Sequence, residues 1–337
     1  MTRWLAAALT VLVLATAGAA AQNRDRKAMA ETPDLEKAFN TAVEKDGGAY
    51  LEARAAVIER GAAALPFLDA RHASPDWRIS LTAWILAGWL RNRDLFDTCT
   101  EAITGKLAGP IPLTGSFPAK RRIAAASKLG NSVTPRLLEM ALKTKELGDE
   151  VQAMSIFGSL AALRDLRAVP PLVQTMLTPA RRGTIDQSIR EWAASTLGEL
   201  QDPRSVAPLL TVLRDPAAPE MLRAAAAVSL AKLEAREAIP DLRKMAADRS
   251  AHLEYRKAAV GAIGELNDAA SADGLLRMLP ATSDLSFRLY VLGIVGDIGG
   301  ANVLPELKKV EQQHSDEAVR QAAKEARERI DDRLGVK

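Results

Sequence analysis

Three histidines and one cysteine are the chain's whole supply of soft metal ligands and strong nucleophiles. His72, His252 and His314 stand far apart, without the short spacings by which a helix or turn presents two ligands to one ion. Cys99 has no companion, so the chain offers no internal disulfide and no paired thiolate site. In the run Asp94-Leu95-Phe96-Asp97-Thr98-Cys99 the thiol fits a small core residue. A Gly-x-Ser-x-Gly elbow for acyl transfer is absent, and so is any histidine–cysteine arrangement for nucleophilic attack. Gly293, Gly296, Gly299 and Gly300 imitate a phosphate cradle, but that fingerprint requires strand, turn and helix in order, and no strand pattern precedes them. Close helix packing at Gly296 and helix termination at Gly299-Gly300 are the expected roles. Carboxylates are plentiful without a pair marked out for acid–base work. These residues predict no catalytic centre, no metal site and no bound cofactor.

Charge narrows the partners. The 45 basic residues face 42 acidic ones, a formal excess of three, with the signs interspersed. Binding through phosphates needs a coherent basic field, so nucleic acid is not expected. Aromatic residues make up only 4% of the chain while hydrophobic residues reach 48%, a balance that suits helices better than a sandwich or barrel.

The most conspicuous charged residues are periodic. Arg190, Arg223, Arg256, Arg288 and Arg320 recur at steps of 33, 33, 32 and 32 residues. The residue before each is apolar (Ile189, Leu222, Tyr255, Phe287, Val319). Apolar residues follow at plus three, plus seven and plus ten, a stripe at helical period. At plus eight stand Gly198, Ala231, Gly264 and Gly296. Each unit adds an earlier helix opened by an aliphatic residue and a nearby proline, as in Ile239-Pro240, because a first-turn proline lacks an N–H that would have no helical partner. Tandem self-similarity at this period predicts an all-α fold, a right-handed α-α superhelix of about eight helix pairs.

Before the array, Arg3, an uncharged run from Trp4 to Gly18 and Ala19-Ala20-Ala21 read as a cleavable secretory signal over residues 1–21, with an uncleaved N-terminal membrane anchor as the alternative. A periplasmic or secreted protein with no stable membrane span after cleavage is expected. Residues 22–32 form a polar tether, 33–105 an N-terminal helical region with a divergent repeat, and 106–118 a linker rich in proline and glycine. Residues 119–337 form the array, closed by a cap in which Arg327 and Glu328 replace the aliphatic and small residues of earlier copies.

The segments Arg223-Ala224-Ala225-Ala226-Ala227-Val228-Ser229-Leu230-Ala231 and Arg256-Lys257-Ala258-Ala259-Val260-Gly261-Ala262-Ile263-Gly264 resemble the VRxxAAxALG core of the HEAT-repeat superfamily, in particular its short bacterial PBS-lyase HEAT-like variety. The resemblance implies a bacterial protein-interaction scaffold, with the arginines joined to acidic residues as a structural ladder. It also brings two enzymatic alternatives, a phycobilin-lyase-like chromophore handler and a metal-dependent oxidoreductase. The His-Glu pairs that hold iron in HEAT-like hydroxylases do not occur here.

Two surfaces are candidates for a partner. Opposite the apolar stripe, at plus one, plus five and plus nine, lie Glu191, Ser195 and Glu199; Ala224, Val228 and Lys232; Lys257, Gly261 and Glu265; and Leu289, Gly293 and Asp297. Stacked, they predict a shallow groove floored by small residues and edged by both charge signs, suited to a peptide or protein. Trp77, Trp84 and Trp89 form the second candidate, an aromatic patch, against the reading that their helix is buried.

Overall fold

The computed structural model describes residues 33–106, 118–144, 149–179 and 184–335. The expected signal and tether, most of the proline-glycine linker and the last two residues lie outside them. Among the described residues every regular element is helical. In chain order these are α1 (33–44), α2 (Gly47–Ile58), α3 (Leu65–Asp69), α4 (Trp77–Arg91), α5 (Arg93–Thr104), α6 (Pro118–Ser127), α7 (Thr134–Leu138) and α8 (Glu150–Leu163). They continue as α9 (Val169–Leu177), α10 (Thr184–Leu200), α11 (Val206–Arg214), α12 (Glu220–Lys232) and α13 (Ile239–Ala247). The last are α14 (Leu253–Glu265), α15 (Ala272–Leu276), α16 (Leu285–Ile298), α17 (Leu304–Gln313) and α18 (Glu317–Leu334). Two compact units result, one of residues 1–111 and 135–149, the other of 112–134 and 150–337. Segment 135–149, which periodicity alone puts in the array, thus belongs with the N-terminal helices.

In the N-terminal unit, α1, α2, α3 and α4 enclose a core of Phe39, Tyr50, Val57, Leu68 and Leu86, all buried. Asp76 starts α4 by accepting the Arg78 N–H at 2.8 Å, the usual N-cap bond. A Cβ at Gly88 would lie 2.4 Å from Phe96 Cζ, so this glycine lets α5 pack directly on α4. Cys99 is fully buried there, and burial pushes its thiol pKa up to about 12, which keeps it protonated and inert.

The array unit is a helical solenoid, in which second helices α10, α12, α14, α16 and α18 stack in sequence and α9, α11, α13, α15 and α17 pair with them. The seam residues are buried as their spacing requires: Ile189, Leu222, Tyr255, Phe287 and Val319 before the arginines, and Ala193, Ala226, Ala259, Val291 and Ala323 at plus three. Alanine at plus three keeps paired helices close; the rings at the preceding position fill the space toward the neighbouring unit.

Each arginine of the ladder does one job, and carboxylates are not its main partner. Arg190, Arg223 and Arg256 donate Nε–H to the carbonyls of Met176, Leu213 and Ala246, at 2.8, 3.1 and 3.1 Å. Arg288 reaches Thr282 O at 2.7 Å, and Arg320 reaches His314 O at 2.7 Å. Four of these carbonyls stand at the C-terminal end of the unit's first helix, where main-chain acceptors lack helical donors and the dipole favours a cation; the fifth, Thr282 O, follows the 3₁₀ turn Leu279–Ala281 that extends the chain beyond α15. Only Arg320 adds a carboxylate, Glu317. Two of the guanidinium groups also lie over the next unit's ring, Arg223 at 4.9 Å from Tyr255 and Arg256 at 4.4 Å from Phe287. The arginine therefore fastens one helix pair and rests on the following one.

Turns between units repeat as closely. The N–H of Ala235 bonds Leu230 O at 2.9 Å and that of Glu234 bonds Ala231 O at 2.8 Å; Asp268 and Asn267 repeat the arrangement one unit later. This Schellman ending needs a left-handed residue, and Glu234 and Asn267 adopt it with φ of 55° and 49°. A 3₁₀ turn follows, and in two units an aspartate caps it. Asp202, almost fully buried, accepts the Arg204 N–H at 2.9 Å and pairs with its guanidinium at 2.5 Å; Asp165 and Arg167 repeat this pairing.

Two outcomes follow from these contacts. A Cβ at Gly198 would lie 2.7 Å from Ser229 Cα, and backbone cannot yield as a side chain does. Gly198→Ala is therefore expected to lower stability by about 1–3 kcal/mol despite alanine's better helix propensity, read as a lower melting temperature in circular dichroism. The bonds from Arg204 hold the Asp202 carboxyl below the usual carboxylate range. A depressed folded pKa gives stability that is present above the unfolded value near about 4 and lost as pH falls through the folded value. Asp202→Asn keeps a capping oxygen but loses the ion pair with Arg204, and should therefore be less stable than the parent at pH 7 by about 0.5–1 kcal/mol, with the gap closing in melts below about pH 4.

Candidate functional site

Exposed side chains converge on one face of the array, the side of the second helices turned away from the seam. It is built from five helical offsets, the two before the arginine adding to those at plus one, plus two, plus five and plus nine, which all fall within about a third of a turn of one another at 100° per residue. Helix α10 contributes Glu191, Trp192, Ser195 and Glu199; α12 contributes Met221, Val228 and Lys232; α14 contributes Glu254, Lys257, Gly261 and Glu265. Helix α16 contributes Leu289, Tyr290, Gly293 and Asp297. Met221, Val228 and Tyr290 are 48%, 37% and 39% exposed and share this face; Met154, Leu166, Leu285 and Leu334 are exposed to a similar degree elsewhere.

The sequence-predicted groove residues are brought together here, with two refinements. Ala224 is buried, so it supports the floor from beneath. Tyr290, which spacing at plus one, five and nine misses, leans across the next groove: a Cβ at Gly261 would lie 2.5 Å from its hydroxyl oxygen. That glycine is the notch that holds the phenol. Met221 was also missed. Both lie one helical step from offsets already chosen, so a wider arc on the helical wheel would have found them.

The charges of this face are mostly stitched across or along the stack. Lys232 pairs with Glu199 of the preceding unit, and Arg329 pairs with Asp297 at 2.7 Å. Lys257 pairs with Glu254 one turn back, at 3.0 Å. Glu191 accepts only from Gln187, at 3.1 Å, and the described contacts give Glu265 no cation. The ladder arginines lie elsewhere, between the helices of each pair. On the first-helix side, a hollow of about 230 Å³ is lined by Arg243 and Arg277 among small residues. Its guanidinium groups are committed, Arg243 to Asp268 and Ser271 and Arg277 to Asp273.

The tryptophans do not share one surface. Trp77 and Trp84 are half-buried along α4, with Arg78 against the Trp77 ring at 4.9 Å. Trp89 is buried, packed edge-on against Phe96 at 5.1 Å, and its Nε1–H donates to Glu139 Oε2 at 2.7 Å.

That carboxylate is the residue the sequence reading did not single out. Glu139 is fully buried on a π-helical segment, Glu139–Lys143. Its Oε1 accepts from the Tyr50 hydroxyl at 2.6 Å and Arg54 at 2.9 Å; its Oε2 accepts from Arg136 at 2.7 Å besides Trp89. At the other end of the segment, buried Lys143 donates to Ala42 O and Val43 O at 3.0 and 2.8 Å, closing the end of α1. Burial first, then Glu139, holds the Tyr50 hydroxyl well above its ordinary pKa, and burial lowers that of Lys143. With four donors on its two oxygens, Glu139 has no open position for substrate, proton or ion; it is a fastener. Its signal was a lone acid inside the apolar run Leu137-Leu138-Glu139-Met140-Ala141, with Arg136 and Lys143 in reach along the helix.

Among the described residues no three histidine, cysteine, aspartate or glutamate side chains gather to hold a metal ion, and no helix is long and apolar enough to cross a membrane. His252 caps α14, its Nδ1 accepting the N–H of Glu254 at 3.3 Å, and His314 Nδ1 accepts the N–H of Asp316, the residue that caps α18, at 3.0 Å.

No curated protein matches the chain. Residues 177–253, from the end of α9 to the start of α14, match the family model of HEAT repeats. The seam, turns and arginine bonds of those residues recur in the copies that follow, so the same HEAT-like unit continues beyond the matched segment.

Proposed function

We propose that this protein is a noncatalytic interaction scaffold of the bacterial envelope that binds a protein or peptide along the face of α10, α12, α14 and α16. HEAT repeats are in general protein-interaction scaffolds. The observation that carries the reading to this face is the exposure of Met221 and Val228 on α12 and of Tyr290 on α16, second helices whose backbones are already fixed by the seam and the turns. Binding there orders few side chains, so little entropy opposes association. The envelope location is supported by Arg3, the uncharged run that follows and Ala19-Ala20-Ala21.

Two measurements test these points. Affinity capture from an envelope extract should retrieve a partner that Val228→Asp loses and that Arg277→Glu, on the first-helix side, retains; equal retention by both variants would move the binding site elsewhere. Cell fractionation should place the protein in the periplasm or medium with Gln22 as its first residue, and an intact N-terminus in the cytosol would refute export.

A further inference from the structure

The face is not electrically neutral, and its imbalance describes its occupant. The two cations of α12 and α14, Lys232 and Lys257, already have carboxylates of the same face, Glu199 and Glu254, and Arg329 of the neighbouring α18 takes up Asp297. What remains is Glu191 on α10 and Glu265 on α14. Glu191 is half-buried, hydrogen-bonded to Gln187 and within electrostatic reach of Arg190 but in no ion pair among the described residues; Glu265 is exposed. A surface that neutralises its own cations and leaves two separated carboxylates open is complementary to a ligand bringing two positive charges.

Their placement sets the ligand's length. Glu191 stands one residue after its arginine and Glu265 nine after its own, on helices separated by one intervening helix. Helix spacing of 8–10 Å and a rise of 1.5 Å per residue put the two about 20 Å apart along a diagonal. Midway along that diagonal, five residues after the α12 arginine, lies Val228, 37% exposed. Ser195 on one side carries no bulk that would block the path, and on the other the Tyr290 phenol seated over Gly261 forms its wall. An extended chain covers about 20 Å in six or seven residues, with alternate side chains facing the surface.

We infer that the face accepts an extended, basic segment of a partner protein, in which two Lys or Arg side chains about six residues apart meet Glu191 and Glu265 while intervening apolar side chains rest on Val228. This rests on the reading that the face binds protein, and adds the partner's chemistry. The carboxylates select the ends, and the valine with its neighbours dehydrates the centre.

The test uses the full chain and two blocked synthetic peptides, acetyl-Lys-Ser-Leu-Ser-Leu-Ser-Lys-amide and the same sequence with glutamate at both ends, followed by fluorescence anisotropy at low salt. The lysine peptide should bind at least about tenfold more tightly than the glutamate peptide. The double variant Glu191→Lys, Glu265→Lys should reverse that order, which also shows that the variant is folded, and Val228→Asp should weaken the lysine peptide by a similar factor. Equal affinity for both peptides, or a preference the double variant leaves unchanged, overturns the inference. If neither peptide binds while Val228→Asp still abolishes partner capture, the assigned chemistry fails and the interaction surface stands. If capture is also indifferent to Val228→Asp, the functional reading fails with it.

Discussion

The bond from each arginine to a main-chain carbonyl at the end of its unit's first helix, or of the turn that extends it, is the constraint on which the array depends. Helix ends present acceptors that nothing in the helix satisfies, and a pair of helices joined by a short loop brings one such end beside the opening of its partner. A guanidinium placed at that opening supplies the donors, fixes where the second helix begins, and sets which residues point into the seam. Arg256, only 7% exposed, shows how deep the group sits. Its stacking on Phe287 links the fixed pair to the next, so one side chain defines both the unit and its contact.

With the pair fixed, the remaining offsets acquire their roles by helical geometry. The plus-eight residue faces the following second helix, which is why Gly198 meets Ser229, Gly264 meets Ile294 and Gly296 meets Ala326. The opposite arc is left for solvent or partner. Its charges at plus nine fall opposite one another in successive units, so Lys232 and Glu199, 33 residues apart, become neighbours. A surface assembled this way is rigid because its backbone is held from behind.

Much of this was legible in the sequence, for a physical reason. A repeat exposes the same position to the same environment several times, so the seam, the small plus-eight residues and the groove offsets announce themselves by recurrence. The partners of the arginines do not, because a main-chain carbonyl has no residue type; acidic side chains were expected in their place. Glu139 shows the opposite limit. Its donors Trp89 and Tyr50 come from 50 and 89 residues away and the arrangement occurs once, so neither period nor spacing reports it. The same bond explains Trp89, whose indole looked from the sequence alone like either core or patch.

The turns between units carry a further consequence. Arg164, Gln201, Glu234 and Asn267 all take the left-handed backbone form that glycine adopts most readily, with φ between 49° and 55°. A side chain other than glycine adopts this form only at a cost of about 1 kcal/mol, and at Glu234 and Asn267 the paired Schellman bonds hold it there. Glycine placed at any of these four positions would relieve that strain while adding freedom to the released chain, two effects of opposite sign.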